Sequence, residues 1–188
     1  MDKIVVQHID IVNDFFSIEE EKIINTVDTI SERVKNGHKI LLAGNGGSAA
    51  DALHITAELI GRFYIERKSI SAIALPSNPS VITEIGNDYT FREVFKRQLE
   101  ALGEKGDIFI AISTSGKSQN IIDALKVAKK MGIYTICFSG VTGGMMKEFC
   151  DTCFCVPTDD TPRIQEIHII LGHIICELLE QRLYGEKR

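Results

Sequence analysis

Apolar positions recur along this chain with two different periods. Between Ser17 and Gly37, residues Ile23, Ile24, Val27, Ile30 and Val34 fall at helical spacing, which gathers them on one face of an amphipathic helix. Ser17 and Glu20 stand three residues apart ahead of this run and Gly37 follows it, so a capping box and a glycine stop set the expected ends. Beyond it the pattern changes to short β-branched runs: KILLAG from Lys39, SISAIAL from Ser69, DIFIAIS from Asp107, IYTICFSG from Ile133 and TCFCVP from Thr152. Helical stretches such as TFREVFKRQLEALG and QNIIDALKVAKKMG separate them. Strands that are apolar at consecutive positions must hide both faces, and helical crossovers between them imply parallel pairing. The expected architecture is therefore α/β: a three-layer α/β/α sandwich on a five-stranded parallel sheet. One domain is expected over residues 1–188, with a helical segment at 1–37 and an α/β core at 38–188. The last helix, expected from Arg163 to Tyr184, is apolar on nearly every side, which predicts burial on several faces, partly against another subunit.

Composition narrows the partners. A chain of 188 residues that is 44% hydrophobic can bury a core without disulfide support. Its net charge of −5 and lack of a lysine or arginine run offer no general attraction to nucleic acid or anionic lipid. The N-terminal stretch MDKIVVQHIDIVNDFF has acids among its apolar residues and no small-residue cleavage site. The longest apolar run, IHIILGHIICELL, is interrupted by histidine and glutamate and falls short of the roughly 20 residues a bilayer demands. A cytoplasmic protein is expected, and its five cysteines would stay reduced there. Cys150, Cys153 and Cys155 lack a second Cys-x-x-Cys or a nearby histidine to complete four ligands, so they read as buried small hydrophobes.

Two loops carry candidate chemistry. GNGGSAAD, Gly44 to Asp51, follows a strand and opens a helix. It satisfies a loose dinucleotide fingerprint through Gly44, Gly46 and Ala49, but the next strand ends in ALPSN without the acid that would hold a ribose. Gly47, Asn45 and Ser48 instead point to a tight turn that meets a smaller polar ligand. AISTSGKS, Ala111 to Ser118, nearly matches a Walker A loop, but Ala111 replaces its first glycine. Ser113, Thr114, Ser115 and Ser118 lie next to a helix N-terminus and offer O–H and N–H donors of the kind that hold a phosphate monoester.

His54 and Glu58, four residues apart, share a helix face about 6 Å apart in rise. Such a pair can ligate one metal or act as acid and base. The last helix adds Gln165, Glu166, His168 and His173. Polar groups in so apolar a segment need partners, and convergence on His54 and Glu58 would supply them. Spacing leaves His168 and His173 equally eligible, and Gln165 lies about 12 Å of rise from His173.

Taken in order, AGNGGSAAD, the following His and Glu, GND, ISTSGKS and RIQEIHIILGH resemble the sugar isomerase (SIS) domain family over nearly the whole chain, in particular its aldose–ketose isomerases of heptose 7-phosphates. The resemblance implies a flavodoxin-like sheet, N-terminal helices packed in a homotetramer with interfacial active sites, and one Zn2+ per subunit. The implied ligands are His54, Glu58, Gln165 and His173. Substrate contacts would come from Asn45, Gly46, Gly47, Ser48, Glu58, Asn87, Asp88, Ser113, Thr114, Ser115, Ser118 and Gln165. Glu58 would be the catalytic base and His173 the acid in converting sedoheptulose 7-phosphate to D-glycero-D-manno-heptose 7-phosphate through an enediol, for lipopolysaccharide or capsule. A non-catalytic SIS protein that binds sugar phosphate or a protein partner, or an isomerase of another phosphosugar, are the alternatives; SIS proteins that act as scaffolds lack the metal ligands. Lys117 stands where asparagine is expected and Pro162 where aspartate is expected.

Overall fold

The computed structural model describes residues 1–185. The elements run α1 (Asp2–Lys35), β1 (Ile40–Gly44), α2 (Gly47–Ile60), β2 (Ala72–Ala74), α3 (Pro79–Asp88), α4 (Val94–Leu102), β3 (Ile108–Ser113), α5 (Gln119–Met131), β4 (Tyr134–Ser139), β5 (Thr152–Cys155) and α6 (Thr161–Tyr184). All five strands are parallel, in the order β2-β1-β3-β4-β5. This is the flavodoxin-like winding, whose order reverses between β1 and β3.

The sheet separates two apolar layers. Alternate residues such as Ile40, Leu42, Ile108 and Ile110 face the layer of α1, α2 and α6. Their neighbours Leu41, Ala43, Phe109 and Ala111 face the layer that contains Val94, Leu99 and Leu125 of α4 and α5. Burial on both sides is why these strands are apolar without alternation.

Two expectations are corrected and one element is added. A single helix of 34 residues replaces the one expected from Ser17, so the N-terminal segment is one helix rather than several. Ser17 is not a cap: its Oγ donates to the Asp14 carbonyl at 3.0 Å, inside the helix. Ile11 and Phe15 extend the buried stripe of Ile23, Val27 and Ile30 back through this point, and that continuous packing outweighs the local capping signal. Helix α3 is the added element: the sequence patterns did not single it out, although Asn78 accepts from the amides of Ser80 and Val81 and Pro79 occupies the first turn, a readable N-terminal signal. Finally, Cys150, Cys153 and Cys155 are half-buried, not fully enclosed, because β5 is the outermost strand.

Helices α2 and α6 pack side by side on one face of the sheet. Gly172 permits this approach: a Cβ there would overlap the side chain of Ile55. The α6 residues Ile164, Ile167, Leu171, Ile175 and Leu179 face the core, while Ile170 and Ile174 are half-buried. Among the described residues, no helix is long and apolar enough to cross a membrane.

Candidate active site

The two candidate loops, Gly44–Asp51 and Ala111–Ser118, lie at the carboxyl ends of β1 and β3, on either side of the point where strand order reverses. In an open parallel sheet this is where ligands bind. The first loop turns sharply at Gly46, whose φ of 55° and ψ of −121° suit glycine. A side chain at Gly44 would collide with the Ser48 backbone, so the helix can begin directly over the strand end. Ser48 is buried, and Asn45 exchanges two amide hydrogen bonds with Asn120, at 3.0 and 2.9 Å. That pair ties the first loop to the start of α5, the helix opened by the second loop. The sequence patterns did not single out Asn120.

In the second loop, Ser113 and Ser118 hydroxyls meet at 3.0 Å, and Ser115 Oγ accepts from the Lys117 amide at 3.2 Å. Gly116 has φ 61°, and a Cβ there would strike the Gly143 backbone, so the loop rests directly on Gly143 and Gly144. Thr114, Ser115 and Lys117 line a cleft of about 280 Å³ with Thr158, Asp159 and Thr161. Lys117 thus brings a positive charge to this cleft, while Pro162 occupies the first turn of α6, where a proline costs no hydrogen bond.

Helix α2 carries His54 and Glu58 toward α6, and the packing brings His173 to them. His54 Nε2 lies 2.9 Å from His173 Nε2 and 3.4 Å from Glu58 Oε1. The three potential ligand atoms all lie within 4.8 Å of one another. Two ring nitrogens at this distance share at most one proton, since one must donate and the other accept. A cation can take the proton's place between them. Two imidazoles and a carboxylate are a common donor set for catalytic zinc, which leaves a fourth position open.

Gln165 lies beside the first loop: its amide packs against Gly47 so closely that a Cβ there would displace it, and Gly47 opens α2 about 10 Å of helix rise before His54. Asn87 and Asp88 end α3, both exposed, and Asn87 Nδ2 donates to Asp88 Oδ1 at 2.9 Å. Glu166 pairs with His8 and Arg163 at 2.6 Å each.

His168 resolves differently from His173. It is fully buried, with Nε2 3.3 Å from the Ser139 carbonyl, and Nδ1 has no hydrogen-bond partner among the described residues. Burial pushes its pKa down to about 4, against a hydrogen bond to Ser139 that acts in the opposite direction. Between about pH 6.5 and 4 the unfolded chain therefore takes up a proton that the folded chain refuses. Stability is complete above that window and falls as pH drops through it, by up to about 3 kcal/mol. Urea denaturation at pH 7 and pH 4.5 is expected to show a smaller loss for His168→Gln than for the unsubstituted chain; identical losses would reject this assignment.

A family model for the SIS domain matches residues 6–140. The chain belongs to the SIS domain family. Within it, the chain is 52% identical over 167 residues to a phosphoheptose isomerase of Clostridium acetobutylicum, covering 89% of this chain and 85% of that protein. It is 51% identical over 173 residues to phosphoheptose isomerase 2 of Campylobacter jejuni, covering 90% and 86%. The structure of a phosphoheptose isomerase from Neisseria gonorrhoeae superimposes with a TM-score of 0.90 at 37% identity, covering 96% of each chain.

In this SIS chain a buried ion pair fixes the far end of the site. Glu180 of α6 accepts from the amides of Phe63, Tyr64 and Ile65 and from Arg67 Nε, at 2.7 to 3.1 Å. Arg67 in turn donates to the carbonyls of Glu58 and Leu59. The side chains of Arg67 and Glu180 are 1% and 3% exposed. Together they clamp the last turn of α2, which bears Glu58, and seat Phe63 with its ring centroid 5.7 Å from that of His173. An acid in an apolar helix needs a partner, and that was the available signal; it could not say which basic residue answers it.

Proposed function

We infer that this chain is a phosphoheptose isomerase, interconverting sedoheptulose 7-phosphate and D-glycero-D-manno-heptose 7-phosphate in heptose biosynthesis. The observation that carries the chemistry is the meeting of His54 and Glu58, on the helix that the first loop opens, with His173 of α6. Aldose–ketose exchange moves a proton between adjacent carbons by way of an enediol, and needs a base near carbon and an acid near oxygen. Glu58 takes the proton from carbon and His173 delivers one to the developing oxyanion. Asn45, Gly46, Gly47 and Ser48 meet the sugar. Ser113, Thr114, Ser115 and Ser118 hold the phosphate with hydroxyl and amide donors at the start of α5. Asn87 and Asp88 contribute further substrate contacts.

His54, Glu58 and His173 fit one Zn2+ by donor type and proximity, with Gln165 the proposed fourth ligand and a polar contact to substrate beside Gly47. When bound, zinc supplies Lewis acidity to the carbonyl oxygen. The proposed assembly is a homotetramer with interfacial sites. In its support, Ile4, Val5, Val6 and Ile9 of α1 are about half exposed or more, and Leu53, also exposed, flanks the open side of His54. A second copy laid there buries apolar surface and excludes water from the site. Five free thiols accord with a cytoplasmic setting, and lipopolysaccharide or capsule is the proposed destination of the product.

Purified protein incubated with sedoheptulose 7-phosphate is expected to yield the manno-heptose phosphate, resolved by NMR. Chelation is expected to abolish conversion and added zinc to restore it. No product under any metal condition would end the isomerase reading; full turnover after verified metal removal would end only the zinc part.

A further inference from the structure

The side-chain pair that joins the two loops fixes polarity as well as position. Asn120 lies in the first turn of α5 and is 4% exposed. Its Oδ1 accepts from the Ile121 backbone amide at 3.0 Å. A backbone N–H only donates, so the atom turned toward it is the oxygen, and the Asn120 amide cannot flip without losing that bond. Its contacts with Asn45 then have a set sense: Oδ1 accepts from Asn45 Nδ2 at 3.0 Å, and Nδ2 donates to Asn45 Oδ1 at 2.9 Å. Turning Asn45 over would place oxygen against oxygen and nitrogen against nitrogen. The Ile121 amide thus orients Asn120, and Asn120 orients Asn45.

A side-chain amide has two N–H groups and two carbonyl lone pairs. Asn45 uses one of each on Asn120, which leaves one donor and one acceptor. A sugar hydroxyl, which both donates and accepts, matches that remainder; a fully ionised phosphate oxygen, which only accepts, matches half of it. Asn45 is half-buried and is followed by exposed Gly46, so its free groups sit at the mouth of the first loop. Glu58 lies about 16 Å of helix rise beyond Gly47, whereas Asn45 is bonded directly to the turn that follows Ser118. The amide therefore meets substrate toward its phosphate end, away from the carbons that react.

We propose that Asn120 is a positioning residue for substrate, holding Asn45 so that it presents one N–H and one carbonyl lone pair to a hydroxyl near the phosphate end of the sugar. This rests on the sugar-phosphate isomerase reading of the site. A contact remote from the reacting carbons is alike in ground and transition states, so its loss falls on KM rather than on kcat.

The test uses the full-length holoenzyme and two probes measured by calorimetry: a heptitol 7-phosphate, which lacks the carbonyl and binds without turning over, and inorganic phosphate. Asn120→Ser keeps a hydroxyl at the start of α5 but is too short to reach Asn45. It is expected to weaken the heptitol phosphate about three- to tenfold, the scale of one neutral hydrogen bond, and to leave inorganic phosphate unchanged. KM should rise by the same factor with kcat within about twofold. Asn45→Ala/Asn120→Ser should bind no more weakly than Asn45→Ala, because Asn120 acts through Asn45. Asn120→Asp, which retains the acceptor for Ile121 and reverses only the contact with Asn45 Oδ1, gives a second reading if the serine variant does not fold. Its added charge opposes both anions, so the ratio of the two dissociation constants is the measure, and it should rise. Unchanged heptitol phosphate affinity, an equal loss for inorganic phosphate, or additive losses in the double variant would each overturn the proposal. Heptitol phosphate binding without turnover of sedoheptulose 7-phosphate would end the isomerase reading and leave the binding comparison standing. Turnover with unchanged affinity in both Asn120 variants would remove Asn120 alone, and failure of the unsubstituted protein to bind the heptitol phosphate would overturn both.

Discussion

Replacing Glu58 by glutamine is expected to lower kcat by about 10²- to 10⁴-fold, the range over which a positioned acid or base contributes. The substitution keeps the length of the side chain and one oxygen while removing the negative charge. His173→Gln is expected to fall in the same range, because it removes the imidazole that faces His54 at 2.9 Å. Each should leave the fold intact, since Glu58 and His173 are only partly buried at the cluster. Both residues combine two proposed roles, as metal ligand and as proton carrier, so the rate has to be measured together with zinc content. A Glu58→Gln enzyme that retains zinc and loses turnover identifies a base. Parallel loss of zinc and turnover, with recovery at high zinc, identifies a ligand. Rates like those of the unsubstituted enzyme in both variants would remove the pair from the mechanism.

The contrast between His173 and His168 shows what the chain pattern could and could not decide. Both are polar positions in an apolar helix, and spacing gave neither an advantage. What separates them is the angular position at which α2 meets α6. Gly172 lets Ile55 pack closely against it, and this turns the adjacent His173 toward His54 while His168 reaches the Ser139 carbonyl in the core. Side-chain volume at a helix crossing is a property of two elements at once, and no periodicity within either one contains it. The strands were legible for the opposite reason, because burial of both faces imposes a local requirement on every residue. The loops fell between these cases. Their glycine and hydroxyl content could be read directly, yet the partners that fix them, Asn120 for Asn45 and Gly143 for Gly116, come from other segments. The Ser17 signal failed because a helix end is decided by whether the buried stripe continues, and Ile11 and Phe15 continue it.

The largest expected effect on stability comes from residues outside the proposed chemistry. Breaking the Arg67–Glu180 pair by Glu180→Ala is expected to destabilise the protein by about 3–5 kcal/mol, the usual result of leaving one partner of a buried pair uncompensated. Four donors converge on this carboxylate. Burial alone would raise its pKa, but the amides of Tyr64, Ile65 and Phe63, together with Arg67, hold it below the usual carboxylate range. The pair's contribution is therefore present above that range and is lost as acid protonates Glu180. For a chain of this size the Ala variant should melt about 10–15 °C lower, at a fixed protein concentration. Arg67→Met/Glu180→Leu offers a sharper comparison. It removes both charges, so its loss should be several kcal/mol smaller than the sum of the two single losses. The same clamp holds the Glu58 turn and Phe63 against His173, so kcat in these variants should fall at temperatures where they remain folded. A melting shift under 2 °C for Glu180→Ala would mean that the carboxylate is dispensable to the fold, and that Phe63 and the end of α2 are held by packing alone.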